Sequence, residues 1–510
     1  MASTHVPVLI IGSGAAGSML SIELARHGID YRCVDRLPAP SSFSRAVTVH
    51  ARTLEILERI DADLLQRFLH TGVQSPGYVM HYVDGSGKRS EVRPGLDFRE
   101  LPPHYPYLLL HGQHDTERHL REWLQQTHGR STEWGVTCTQ VEHNDAGTLA
   151  TLQHSDGRSE SVQCQYLVAC DGANSRTRQL LQWEKDGSEY DGTVLQNLDI
   201  YLNGFPDDDK WVHYCVGPGH FVMVVRLKAG WFRLLMSQPA DKAAPDAVPQ
   251  QVFGEILAQH FDGISLGETV WHSRWGSRVH LVKTYRQRNV FLAGDAAHVH
   301  STAGGQGMNC CMQDAFNLGW KLAYVLKGWA PPALLDSYDG ERRPIGGQVI
   351  AAASSIHELF MAGRDPDPAA LTSLRDSGKL RTLVQQVSGL SYHYRGAGSA
   401  SSSGLQAGDR MPDFALPHSS LYARSRHAAF MLIVATAGDV DTALLQRVSS
   451  ILQPYRHCIT LLPTSQAPAW LSDGAEALYL VRPDGYVALR CDAQATDHLQ
   501  AWLAAQLTAL

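Results

Sequence analysis

The chain of 510 residues carries 44 Lys and Arg against 51 Asp and Glu, a formal net charge of −7, with 44% hydrophobic and 19% charged residues. This is the composition of an ordinary globular protein of roughly three domains, neither disordered nor fibrous. Mild acidity without a basic block excludes an electrostatic footprint for nucleic acid or an anionic membrane. No apolar run reaches the roughly 18 residues of a spanning helix, so a small-molecule partner and neither membrane span nor signal peptide are expected.

In chain order, Val6-Pro-Val-Leu-Ile-Ile11 reads as a buried parallel strand leading into Gly12-Ser-Gly-Ala-Ala-Gly17. Ser18 to His27 has helical apolar spacing, and Asp30 to Asp35 reads as a second strand, completing a β-α-β unit. The strand, the helix and an acidic residue eighteen positions after Gly17 turn a weak glycine pattern into a dinucleotide fingerprint. Gly12 permits the turn, Gly14 lets the backbone approach a pyrophosphate, and Gly17 lets helix and strand pack. Ala15 and Ala16 open the helix whose N-terminus meets the phosphate charge. Asp35 is expected to accept from ribose hydroxyls, with Arg36 beside it. At this point NAD, NADP and FAD all fit.

Gln165 to Cys170 and Asn289 to Ala293 look like further inner strands, each running into a Gly/Asp pair, which makes the first domain discontinuous. Between Asn197 and Glu268 alternating, aromatic-rich runs predict a mostly antiparallel sheet. Met312 to Lys327 and Ile345 to Phe360 read as helices, and Gly396 to Gly404 as a flexible small-residue linker. Strands alternate with helices after Leu405. Nine scattered cysteines without CxxC or Cys/His ligand spacing predict reduced thiols, no metal site and a cytoplasmic protein.

Ser44-Arg-Ala46, Val49-His-Ala-Arg-Thr-Leu-Glu55, Gln113, Asp171-Gly172, Tyr285-Arg286, Gly294-Asp295 and Gly304-Gly-Gln-Gly-Met-Asn309 occur in an order and spacing that resemble one family. It is the single-component flavoprotein aromatic monooxygenases of the para-hydroxybenzoate hydroxylase type, in particular the branch of phenolic and polyketide hydroxylases with an added thioredoxin-like domain. The resemblance implies an α/β fold with a discontinuous Rossmann-like FAD-binding domain (1–180 and 281–395), a mostly antiparallel substrate sheet (181–280), a linker (396–404) and a thioredoxin-like domain lacking CxxC (405–510).

It also implies resident FAD, transient NADPH or NADH, O2, and a small aromatic substrate hydroxylated through a flavin C4a-hydroperoxide. Carried over residue by residue, Arg45 and Gln113 contact the flavin nucleotide, Asp171 and Gly172 belong to its site, and Gly294 and Asp295 meet the ribityl chain. Gly304, Gly307, Met308 and Asn309 bring a helix N-terminus to the flavin's negative edge. Where this family often has prolines the chain has Ser301 and Thr302, which predicts a less rigid loop. His213 and His220, in the substrate sheet, are the candidate bases for a phenol, and the sheet's tryptophans are candidate walls.

Without CxxC, the terminal domain is left a packing or oligomerising role, such as a homodimer. Since every expected FAD contact precedes residue 310, its removal is expected to leave flavin binding intact. A flavin oxidase or dehydrogenase on the same fold, or a flavin-binding protein without turnover, are the competing readings.

Overall fold

Strands from three distant stretches of the chain lie side by side in the first sheet. The computed structural model describes residues 4–510 except 43–44, 103, 145–146, 240–248, 361–367, 397–403, 437, 439, 466 and 473–475. Ser44 and nearly all of the expected linker therefore lie outside the described residues. Thr4–Ile11 is flanked by Tyr31–Asp35 and Ser159–Ala169, both parallel to it, and Val290–Leu292 continues in parallel beyond Ser159–Ala169. Val8, Leu9, Ile10, Val168 and Phe291 are wholly buried. Strands covered on both faces read as unbroken apolar runs, which is why they stand out in the sequence. The helices Ala15–Arg26 and Gly307–Leu326 pack together closely because Gly319 has no side chain; a Cβ there would lie 2.5 Å from that of Glu23.

The second sheet has eight strands in the order His298–Val299, Ser265–Val282, Lys185–Asn203, Trp231–Pro239, His220–Lys228, Val212–Gly217, Gly77–Val83, Arg89–Asp97. All neighbours are antiparallel except Val212–Gly217 with Gly77–Val83. The last two strands come from the amino-terminal stretch. One face of this sheet is covered by the helix Pro249–His260, whose Phe253, Ile256 and Leu257 pack on Val222, Val224, Phe232 and Leu234. The opposite face, through Tyr214, Phe221, Val225 and Leu235, joins the core of the first sheet.

The carboxy-terminal module is a four-stranded sheet ordered Ile459–Thr464, Phe430–Ala435, Ala477–Val481, Val487–Asp492, with only the first pair parallel. One face of the sheet has a core of the module's own residues, among them Met411, Tyr422, Ile433 and Tyr479, and the other is shared: Trp320 and Tyr324 of the Gly307–Leu326 helix pack with Phe430, Leu432 and Leu478. Beside them Arg482 donates to Glu341 at 2.6 and 2.8 Å and to Asp484 at 2.5 Å, Lys321 donates to Glu341 at 2.8 Å, and Asn317 donates to Asp484 at 3.0 Å. All nine cysteines are buried and free. No helix among the described residues is long and apolar enough to cross a membrane.

Candidate active site

Two adjoining cavities share Gly14, Cys170 and Gly172 and together form a trench along the carboxyl ends of the first sheet. Gly12, Asp35, Arg36 and Asp171 line one end. Ala15, Ala16, Arg45 and Gln113 line the middle, and Asp295, Gly307 and Met308 the other end. Ligands of open α/β sheets bind at these strand ends.

Sterics explain the glycines. Gly12 has φ +100°, and a Cβ there would lie 2.4 Å from the carbonyl oxygen of Cys170. Asp35 anchors the turn: its carboxylate accepts from the backbone N–H groups of Ser13 at 2.8 Å and Leu37 at 2.9 Å. The Ala15–Arg26 and Gly307–Leu326 helices both start without a side-chain cap and without an acidic residue in the first turn, so each points unpaired N–H groups and the positive end of its dipole at the trench. Gln113 opens the helix Gln113–His128; its carbonyl accepts from the N–H groups of Arg45 and Ala46, and its amide donates to Glu117 at 2.8 Å. Glu117, which no sequence motif marks, lines the trench near Gly14, and burial pushes its carboxyl above the ordinary value against the pull of Gln113 and Arg121. Its place one helical turn after Gln113 was the available signal.

Four expected contacts do not line the trench but shape it. A Cβ at Gly17 would lie 1.9 Å from the Gly12 carbonyl oxygen. Gly294, at φ +63°, donates its N–H to Asp314 at 3.1 Å. Gly304, at φ +80°, turns the loop against Ile356. Asn309 turns its side chain inward, donating to the carbonyls of Thr48 and Gly305 and accepting from the His50 N–H at 2.8 Å. Beneath the Asp295 turn Asp314 also holds His298 Nε2 at 2.7 Å and Arg342 Nε at 2.7 Å.

The wall opposite the first sheet is one row across the second: Tyr214, Met223 and Leu235 are successive cross-strand partners, and Tyr78 lies edge-on to Tyr214 at 4.8 Å. This corrects the assignment of His213 and His220. Side chains alternate along a strand, so His213, next to Tyr214, and His220, next to Phe221, point to the face covered by the Pro249–His260 helix. His213 Nδ1 is 2.9 Å from His81 Nε2, and His220 Nε2 is 3.0 Å from His260 Nε2; neither histidine reaches the trench. Of the expected tryptophan walls, Trp211 carries Arg93 and Arg99 on its ring and does not line the trench, while Trp275 packs under the trench residue Arg45.

The loop of Ser301 and Thr302 is not loose. Ser301 is buried, with its hydroxyl 3.1 Å from His357 Nδ1 and accepting from the Ala303 N–H, so hydrogen bonds replace a proline's rigidity. His300, before it, lines the trench and was not singled out in the sequence.

These features, a dinucleotide trench between two uncapped helix ends with a flat-ringed apolar wall at one end, define a flavoprotein of the two-sheet α/β class. Residues 5–353 match the FAD binding domain family and residues 405–509 the aromatic-ring hydroxylase C-terminal family. The chain is 34% identical over 458 residues to pentachlorophenol 4-monooxygenase of Sphingobium chlorophenolicum, covering 88% of this chain and 84% of that one. It is 34% identical over 403 residues to 6-methylpretetramide 4-monooxygenase of Streptomyces rimosus, covering 76% and 70%. Among solved structures it is similar to the anhydrotetracycline hydroxylase OxyS from Streptomyces rimosus, with a TM-score of 0.79, 27% identity and coverage of 99% and 100%.

The chain belongs to the FAD-dependent aromatic hydroxylases, a monooxygenase family whose reductant is NAD(P)H. The trench fits FAD on its own terms: two uncapped helix N-termini suit negative charge beside each, Asp295 is exposed into the cavity, and the buried Asp171 Oδ1 has no hydrogen-bond partner among the described residues.

Proposed function

We propose that this hydroxylase acts on a phenol, either a single ring or a fused, polyketide-type system. The observation that carries this reading is the row Tyr214, Met223, Leu235 with Tyr78, a flat apolar wall broken by few polar groups, which suits an aromatic ring. Pentachlorophenol and 6-methylpretetramide, named for two relatives, bracket that size range.

FAD, when bound, would supply the redox chemistry, with NAD(P)H as reductant and O2 as the source of the oxygen inserted into the ring. In this proposal the chain's residues hold and shield. The N–H groups at Gly14, Ala15 and Ala16 face the pyrophosphate, while Asp35 and Arg36 border the adenosine end, with Asp171 and Gly172 alongside. Asp295 would accept from the ribityl hydroxyls, and the first amides of the Gly307–Leu326 helix would favour negative charge on the ring, with Arg45 and Gln113 at the rim. The wall holds the substrate ring flat and keeps water out. The working division is FAD-binding segments 1–180 and 281–395, with residues 77–97 lent to the substrate sheet of 181–280, and the linker 396–404 leading to the module 405–510.

Purified, FAD-loaded protein should oxidise NADPH or NADH at least tenfold faster when 1-naphthol is added. Stimulation by cyclohexanol to the same extent would remove the aromatic reading.

A further inference from the structure

His300 lines the trench between the Asp295 turn and the start of the Gly307–Leu326 helix. Its Nδ1 lies 2.7 Å from the carbonyl oxygen of Ser301. A carbonyl only accepts, so Nδ1 carries the proton and Nε2 presents a bare lone pair. That Nε2 is buried and has no hydrogen-bond partner among the described residues. It lies beside the first turn of the helix, since a Cβ on Gly307 would be 3.6 Å from it. Burial lowers the imidazole to about 4 against the pull of the Ser301 carbonyl, and the helix's positive end also disfavours a cation. The ring is therefore neutral at physiological pH, and Nε2, beside Gly307 at the trench wall, can only accept.

We infer that His300 Nε2 accepts a hydrogen bond from the hydroxyl of the substrate and so selects free phenols over their O-alkylated counterparts. The inference rests on the phenolic reading above. Among the trench's other polar groups, the Gln113 amide is engaged by Arg45, Ala46 and Glu117, the Thr302 hydroxyl can both donate and accept, and Asp295, itself an acceptor, is the group that the ribityl hydroxyls would take. A buried acceptor left unmatched is costly, so a ligand bringing a methyl ether to Nε2 loses affinity and one bringing O–H gains it. An N–H of a bound flavin is a competing donor, and the test separates the two.

The experiment measures dissociation constants of 1-naphthol and 1-methoxynaphthalene with oxidised, FAD-loaded enzyme from the change in flavin absorption. Wild type should favour the naphthol by about tenfold, the size of one hydrogen bond. His300→Leu should bring the ratio near one with FAD affinity unchanged, and His300→Gln, which keeps an acceptor, should retain part of it. An unchanged ratio in His300→Leu overturns the inference. So does an unchanged ratio with a tenfold loss of FAD affinity, which would give Nε2 to the flavin N–H.

Should His300→Leu fail to fold, ¹⁵N NMR of wild-type imidazoles decides. One Nε2 should shift on adding the naphthol and not the ether; no shift overturns the inference. If neither naphthalene perturbs the wild-type flavin, the phenolic reading falls and the inference with it. Failure of the inference alone leaves naphthol binding intact.

Discussion

Deleting residues 405–510 should leave the protein without FAD and unfolded or aggregated, rather than merely altering its assembly. The expectation that the module is separable came from the position of the flavin contacts, all before residue 310. The Gly307–Leu326 helix, whose first turn borders the trench, has Trp320 and Tyr324 of its second half packed into the module. Deletion would strip Trp320 and Tyr324 of Phe430, Leu432 and Leu478, and strand Lys321 and Glu341 without Arg482. A single substitution makes the same point without removing the domain. Arg482→Ala takes a largely buried guanidinium from Glu341 and Asp484, and breaking a buried charge network by one partner costs about 3–5 kcal/mol. Denaturant unfolding followed by flavin fluorescence should show the loss. A truncated chain that purifies yellow and monodisperse would show the module to be an appendage after all.

Asp314→Asn should be nearly as damaging, and its cost should depend on pH. Asp314 is wholly buried and takes Arg342, His298 and the N–H of Gly294 on its two oxygens. Burial pushes its carboxyl up, but Arg342 and His298 more than offset this and hold it below the ordinary carboxylate range. An asparagine must turn its NH2 toward one of these donors and leaves Arg342 without its counter-charge, a loss of about 3–5 kcal/mol. The turn that aims Asp295 into the trench loses its anchor, so FAD retention should fall with stability. Because the folded carboxyl titrates below the unfolded one, its contribution is fully present above the unfolded value of about 3.9 and fades as pH falls through the lower folded value. The gap between wild type and variant should therefore be full at pH 6 and narrow under acid. A constant gap at every pH would show that shape rather than charge makes Asp314 important.

Parts of the structure legible in the sequence are those with a steric or periodic cause. Gly12 and Gly17 stand where a Cβ would strike a backbone oxygen, and the inner strands of the first sheet are apolar throughout because both faces are covered. What stayed hidden depends on which of two equivalent faces is used. Alternation around His213 and Tyr214 says that they point oppositely, but not that the Pro249–His260 helix covers the histidine side. A helix on the other face would have reversed the roles.

The strands Gly77–Val83 and Arg89–Asp97 carry no motif and join the second sheet by a long-range parallel pairing. Arg482, Glu341 and Lys321 look like surface charges until the module docks. His300 is one letter in a loop, and its interest lies in which ring nitrogen carries the proton and in the other having no hydrogen-bond partner among the described residues.

The most direct test of hydroxylation at this trench is the fate of molecular oxygen. FAD-loaded protein supplied with NADPH or NADH and 1-naphthol under ¹⁸O2 should release a hydroxylated naphthol carrying one ¹⁸O atom, in amounts that track the reductant consumed. A product whose new oxygen comes from water, or reductant consumed with hydrogen peroxide as the only product, would contradict it.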